Sequence, residues 1–244
     1  METFGEFLTE GKDDKGGLTI FDIDDTLFKT TAKVNVVKGG KKVKELKTGE
    51  YNNYRLKNGE SFDFSEFKDA LKFQKESRPI KRMMAKAKAI LQNAMRKPKS
   101  KVIVVTARNN MDNKQVFLDT FKQHGFPIER VRVERAGRLA DVSGTAQQKA
   151  IIIYNYLKTG QFGRVRLFDD SVENLKKFLS LKRYFPKVEF QAFYAKNDGS
   201  VKTIKEEYGA GEDGTLELLN KYLDDTPYSR PKKKKKDEKI NLEN

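Results

Sequence analysis

The segment Phe21-Asp22-Ile23-Asp24-Asp25-Thr26-Leu27 places two carboxylates two residues apart, directly after an apolar run. If the chain stays extended through them, Asp22 and Asp24 project to the same side and can share one ligand. Like charges that close raise each other's proton affinity. Either a divalent cation neutralises them, or one keeps its proton and serves as an acid. Both arrangements suit phosphoryl transfer: one carboxylate attacks phosphorus, an oxygen-lined Mg2+ site holds the phosphate, and the second carboxyl group protonates the departing oxygen before activating water. The other use of such residues is an acidic turn that caps a helix, and Asp25 alone fits that description.

Three more positions keep this pair company. Thr106 ends Val104-Val105-Thr106-Ala107-Arg108, and its hydroxyl is expected to donate to a phosphoryl oxygen beside a helix start. Lys149 is expected to begin a helix and to neutralise charge on nucleophile and phosphate. Asp169-Asp170 close a third apolar run and offer a further hard oxygen ligand. His124 is the only histidine, so no serine–histidine–aspartate relay or histidine metal cluster is available. It reads as a helix-end residue before Gly125. Gly39-Gly40 and the glycines between 209 and 214 lack the lysine–serine ending of a phosphate-binding loop.

The elements that must position these residues emerge from periodicity. Leu18–Phe21, Val102–Val105, Val131–Val133, Val165–Phe168 and Val188–Phe193 are short, largely β-branched or aromatic runs, which suit strands covered on both faces. Helical patterns alternate with them: Val116, Phe117, Thr120 and Phe121 share one face, and Ile151, Ile152 and Leu157 another. The order predicts an α/β fold with an open, doubly wound, mainly parallel sheet, whose ligands bind at the carboxyl ends of the strands. Residues 33–99 separate the first two strands by more than a loop needs, so an inserted α+β cap is expected between core segments 16–32 and 100–229. Its first half has a hairpin pattern around Gly39-Gly40 and Asn58-Gly59. Its second half predicts a helix over Asp63–Lys75 with Phe64, Phe67 and Leu71 on one side. A further helix after Pro79 would carry Ile80, Met83, Met84, Ala87, Ile90, Leu91 and Met95 as a core stripe.

This ordered set resembles the haloacid dehalogenase superfamily. Its first motif, DxDx[TV], reads Asp22-Ile23-Asp24-Asp25-Thr26 here; Thr106 stands for the second motif, Lys149 for the third, and Asp169 with Asp170 for the paired acidic fourth. The resemblance spans residues 18–28 and 102 to about 193, and the insertion lies where the superfamily places its first type of cap. It implies that Asp22 is the nucleophile and Asp24 the general acid/base. It also implies Mg2+ bound by the Asp22 side chain, the Asp24 backbone carbonyl and a fourth-motif acid, for which Asp170 is preferred over Asp169. Asn174 stands where many members carry another acidic residue, and a role through water or a hydrogen bond is expected. The second aspartate of the first motif favours phosphatases over dehalogenases. Thr106-Ala107-Arg108 is also similar to the second motif of polynucleotide 3′-phosphatases, which would make Arg108 a phosphate or leaving-group contact. A surface pairing of Arg108 with Asp112 is the structural alternative.

Charge and composition bound the partners. The chain has 244 residues, no cysteine and a net charge of +15. Disulfides and thiolate metal sites are therefore excluded, and a reducing, cytoplasmic setting is expected. Residues 33–101 hold 20 basic and 7 acidic side chains, whereas residues 1–32 hold 3 and 8. Such a basic zone favours phosphorylated or nucleic-acid partners. The longest apolar runs, such as Ala150–Tyr154, fall far short of the ~20 residues of a spanning helix, so no membrane association is expected. Residues 230–244, with Lys232 to Lys236 in a row, read as a disordered lysine-rich tail. Residues 1–10 lack a basic start before an apolar run, so no secretory leader is expected. They resemble capsid-targeting peptides of internal head proteins in large tailed bacteriophages, which would imply cleavage after Glu10 and packaging in the virion; an amphipathic helix docked through Phe4, Phe7 and Leu8 is the alternative. The expected function is a Mg2+-dependent phosphomonoester hydrolase for a nucleotide or nucleic-acid end. A small-metabolite phosphatase and a non-catalytic, packaged nucleic-acid-binding protein are the rivals.

Overall fold

The apolar runs are strands in the computed structural model, which describes residues 15–51, 54–139, 142 and 144–204. In chain order the strands are β1 (Gly16–Phe21), β2 (Phe28–Lys29), β3 (Val34–Lys38), β4 (Lys41–Leu46), β5 (Glu60–Asp63), β6 (Arg78–Pro79), β7 (Lys101–Thr106), β8 (Arg132–Arg135), β9 (Phe162–Asp169), β10 (Glu189–Ala195) and β11 (Val201–Ile204). The helices are α1 (Thr48–Tyr51), α2 (Ala70–Glu76), α3 (Lys81–Met95), α4 (Lys114–Gln123), α5 (Thr145–Leu157) and α6 (Val172–Ser180).

Six strands form the main sheet in the order β11-β10-β9-β1-β7-β8, with only β11 antiparallel. The fold is thus mixed α/β around a mainly parallel sheet, compatible with a Rossmann-like architecture. The chain winds from β1 outward through β7 to β8, then returns to β9 on the other side of β1. That reversal puts a topological switch point between β1 and β9, where the connections leave in opposite directions and a crevice opens at the strands' carboxyl ends.

Both faces are covered, which explains the continuous apolar runs. On one face Phe21, Phe168 and Phe193 stack across three in-register strands, with ring centroids 4.7 Å apart at each step. Phe28, Phe73, Phe117 and Phe121 extend the same cluster. α5 and α6 contribute their own buried apolar residues, and Phe178 of α6 meets Phe190 of β10.

The insertion differs from expectation. Its hairpin half forms a separate three-stranded antiparallel sheet, β4-β3-β5, with its own core of Val34, Val36 and Leu46 against Tyr51, Tyr54, Phe62 and Phe67. Gly39 and Gly40, at φ +55° and +75°, make the tight β3–β4 turn that side chains would disfavour. Asn58-Gly59 leads into β5, whose partner is β3, so it does not close a hairpin. The helical half joins the main core instead of forming a cap with the sheet. Ala70 and Phe73 of α2 and Met83, Met84, Ala87 and Leu91 of α3 are buried in the same cluster as Phe21 and Val104. The unit with its own core is therefore narrower than 33–99. Over Asp63–Lys75 the chain forms a strand end, one 3-10 turn and α2 rather than one helix, so Phe64 and Leu71 are exposed and Ala70 and Phe73 face inward. Met95 at the end of α3 is also exposed.

The expected capsid-targeting peptide, its cleavage after Glu10, the 209–214 glycines and the lysine-rich tail lie outside the described residues. Among the described residues no helix is long and apolar enough to cross a membrane.

If α3 belongs to the main core, Met83→Ala should cost about 2–5 kcal/mol and shift the single main unfolding transition in urea. A Met83→Ala protein that altered only a minor, separate transition would contradict this assignment.

Candidate functional site

β1 ends at Phe21, and the chain turns immediately beyond it. The Asp22 N–H still donates to the Phe168 carbonyl of β9 at 3.0 Å, holding Asp22 beside that strand. Further on, the Leu27 and Phe28 N–H groups both donate to the Ile23 carbonyl at 2.9 Å, and the Asp25 N–H donates to Phe28 O at 2.7 Å. Asp25 adopts a left-handed φ of +56°, a conformation that aspartate tolerates better than most side chains. The Asp22 and Asp24 carboxylates contact different cations, Lys149 and Arg108, while Asp24 still lies near enough to raise the proton affinity of Asp22.

Asp22 turns to the switch point. Carboxylate oxygens of Asp22, Asp169 and Asp170 lie within 4.8 Å of one another, a grouping able to hold a metal ion. Lys149 stands in the second turn of α5 rather than at its start, and its ammonium lies 2.8 Å from both Asp22 Oδ1 and Asp169 Oδ2. Asp169 is otherwise saturated: its Oδ1 accepts from the Ser171 N–H and from the Asn174 side-chain amide, each at 2.9 Å. Asp170 receives only a long 3.4 Å contact from the Thr26 hydroxyl. Asp22 Oδ1 is buried, with no aligned hydrogen-bond donor; its contact with Lys149 is a charge contact. Spare acceptor capacity thus lies on Asp22 and Asp170, and an all-oxygen set of this kind fits a hard divalent cation.

The electrostatics express the same crowding. Burial pushes the Asp22 carboxyl up to about 7; Lys149 opposes that shift, and the neighbouring Asp169 and Asp24 add to it. Burial, then Asp22 and Asp169, push Asp170 up to about 8. Burial alone would lower the Lys149 ammonium, yet Asp169 and Asp22 outweigh it and its proton is held more tightly than usual.

Asp24 pairs with Arg108. The guanidinium donates through Nε at 2.9 Å and Nη2 at 2.6 Å to the two Asp24 oxygens, and through Nη1 to the Phe67 carbonyl at 2.9 Å. Its carbon lies 4.7 Å from the Phe73 ring centroid and 5.1 Å from that of Phe67. Arg108 is 2 % exposed, so the surface pairing with Asp112 does not occur; Asp112 instead accepts from the Ala70 N–H. The Asp24 carboxylate is accordingly not one of the three gathered oxygens expected to bind metal.

Other expected residues are also brought to the site, with altered parts. Thr106 is fully buried, its hydroxyl accepts from the Arg108 N–H at 3.2 Å, and the next helix begins only at Lys114. Thr26 is equally buried and reaches Asp170. Asn174 donates its side-chain amide to Asp169 and so helps to position it. Ser171, which caps α6, was missed although Ser171-x-x-Asn174 after the acidic pair is a readable cap signal. Phe67, Phe73 and Thr30, which grip Arg108, carried no such signal. The small sheet's core is tied to this end of the main core through Phe67, whose carbonyl accepts from Arg108.

A divalent cation held by these carboxylates would bind their ionised forms and displace protons from Asp22 and Asp170. Stabilisation of the protein by such a cation should therefore grow as pH rises through about 7 and 8. In metal-free protein the sign is opposite. The folded state holds these protons more tightly than the unfolded chain, so stability falls as pH climbs from the ordinary value of 3.8 through that range. Thermal melts with and without Mg2+ at pH 5.5, 7 and 8.5 check both trends, and a pH-independent Mg2+ shift would contradict the assigned ligands.

Comparison with protein-family models and with curated proteins finds no match for this chain.

Proposed function

We propose that this chain is a Mg2+-dependent phosphomonoester hydrolase of the haloacid dehalogenase type, its small β4-β3-β5 sheet acting as the cap and Asp22 as the nucleophile. The observation that carries the reading is the gathering of Asp22, Asp169 and Asp170 around Lys149 at the switch point. A structural ion pair needs one carboxylate for one lysine, whereas this site buries an excess of negative charge, which is costly without a further cation.

An Asp22 carboxylate oxygen attacks phosphorus, the bond from phosphorus to the ester oxygen breaks, and that oxygen takes a proton from Asp24. In the second half, Asp24 removes a proton from water, whose oxygen attacks the aspartyl phosphate, releasing inorganic phosphate and restoring Asp22. Lys149 favours the ionised form of Asp22, opposing the effect of burial, and offsets charge on the transferring group. Asp22 and Asp170 would hold the divalent cation, which supplies charge neutralisation at the phosphoryl oxygens. A carboxylate gripped at both oxygens has no proton to give, so Arg108 must release one oxygen of Asp24 before the leaving group can be protonated.

The substrate reading rests on charge. The β3–β4 hairpin exposes Lys38, Lys41, Lys42 and Lys44, a field that captures anionic ligands and favours a nucleotide or a nucleic-acid end.

Phosphate release with Mg2+ across mononucleotides, 3′- and 5′-phosphorylated oligonucleotides and sugar phosphates tests the activity. Asp22→Asn should lower turnover by ~10³-fold or more with an unchanged circular dichroism spectrum. Full activity in that variant would remove Asp22 from its role. An absence of release from every substrate, with salt-sensitive DNA binding instead, would favour the non-catalytic reading.

A further inference from the structure

Beside the carboxylates, on the β7–β8 side of the sheet, lies a cavity of about 350 Å3. Thr106 and Arg108 form its wall towards the acidic cluster, and none of the aspartates lines it. Its floor is apolar, built by Phe117 and Leu118 of α4 and Val133 of β8. Its polar lining includes two cations, Lys114 and Arg135, against one carboxylate, Glu129; the Arg108 guanidinium, also in the wall, is held by Asp24 and the Phe67 carbonyl.

We infer that this cavity is the leaving-group site and that it takes the ring of a single nucleotide unit, with its cations facing any further negative charge on that unit. The inference rests on the phosphatase reading above. Three observations support it. Asp24, the acid proposed to protonate the leaving oxygen, is held by Arg108, and Arg108 is also a wall of the cavity. Thr106 ends β7, the strand next to β1, and the register Phe21↔Val104 puts it one residue beyond the position level with Asp22. An ester with its phosphoryl group at Asp22 and its leaving group extended past Thr106 would lie in the cavity. Finally, the volume is at the small end of ligand pockets, which run ~300–1,000 Å3. A flat apolar floor below a cationic rim suits a heteroaromatic ring with anionic substituents; a bare sugar phosphate would leave the floor uncovered.

The experiment compares adenosine monophosphate with ribose 5-phosphate, which lacks the ring, in wild type, Leu118→Trp and Lys114→Glu. Leu118→Trp fills the cavity, and Lys114→Glu reverses a rim charge without touching the core. Wild type should prefer the nucleotide in kcat/KM. Each variant should lower that preference by about tenfold or more, chiefly by raising the nucleotide KM. No nucleotide preference in wild type, or a preference unchanged in both variants, would overturn the inference. Equilibrium binding of adenosine monophosphate to Asp22→Asn separates this from the phosphatase reading. Binding to Asp22→Asn that is lost in Asp22→Asn/Leu118→Trp supports the cavity even if no substrate turns over. Failure of Asp22→Asn to bind the nucleotide refutes the cavity even if small phosphates are hydrolysed.

Discussion

The carboxyl end of the main sheet depends on one ammonium group. Asp22 and Asp169 extend from neighbouring strands that the backbone holds in register, so their carboxylates cannot move apart without unzipping β1 from β9. Lys149, buried in the second turn of α5 and 2.8 Å from each, makes that proximity tolerable. Removing one member of such a buried set typically costs about 3–5 kcal/mol, because the remaining charges keep their desolvation penalty and lose their compensation. The position of α5 is therefore constrained twice, by its apolar face against the sheet and by the charge it must deliver. With Asp170 adjacent, the balance still lies on the acidic side, and the upward shifts of Asp22 and Asp170 register that excess.

Two cations sort four carboxylates into different tasks. Lys149 takes Asp22 and Asp169, and Arg108 takes Asp24. Ser171 and Asn174 complete Asp169, which leaves it a fixed element of the frame. Asp170 alone has little hydrogen bonding, and Asp22 alone is buried with an oxygen lacking a donor. Backbone geometry underlies the division: the turn at Ile23–Phe28 brings Asp24 within reach of Arg108 in the loop after β7.

Much of this was legible because strands buried on both faces announce themselves as β-branched runs, and polar residues ending such runs mark the ligand edge. The runs at Leu18, Val102 and Val165 led directly to Asp22, Thr106 and Asp169. Lys149 was legible as a cation near an apolar helical face, although its place within α5 was set by a helix start at Thr145 that has no strong capping residue; Gly144 precedes it. Partnerships between distant segments could not be read. The methionine and aliphatic stripe of α3 was visible, but not that it packs against β1 and β7 instead of the small sheet. The Arg108–Asp24 pair spans 84 positions, so nothing local to either residue announced it.

The burial of the site bears on how it can work. Asp22 is 5 % and Asp24 6 % exposed, so a phosphate ester reaches neither without some rearrangement of the groups above them. At the seam between the small sheet and the core, Arg108 donates to the Phe67 carbonyl, a polar contact that water can replace at small net cost, unlike the aromatic core below. Arg108 belongs to both sides of the seam, holding the Phe67 carbonyl with one nitrogen and Asp24 with two others. Any displacement of Phe67 therefore also loosens the support of the guanidinium and its grip on Asp24.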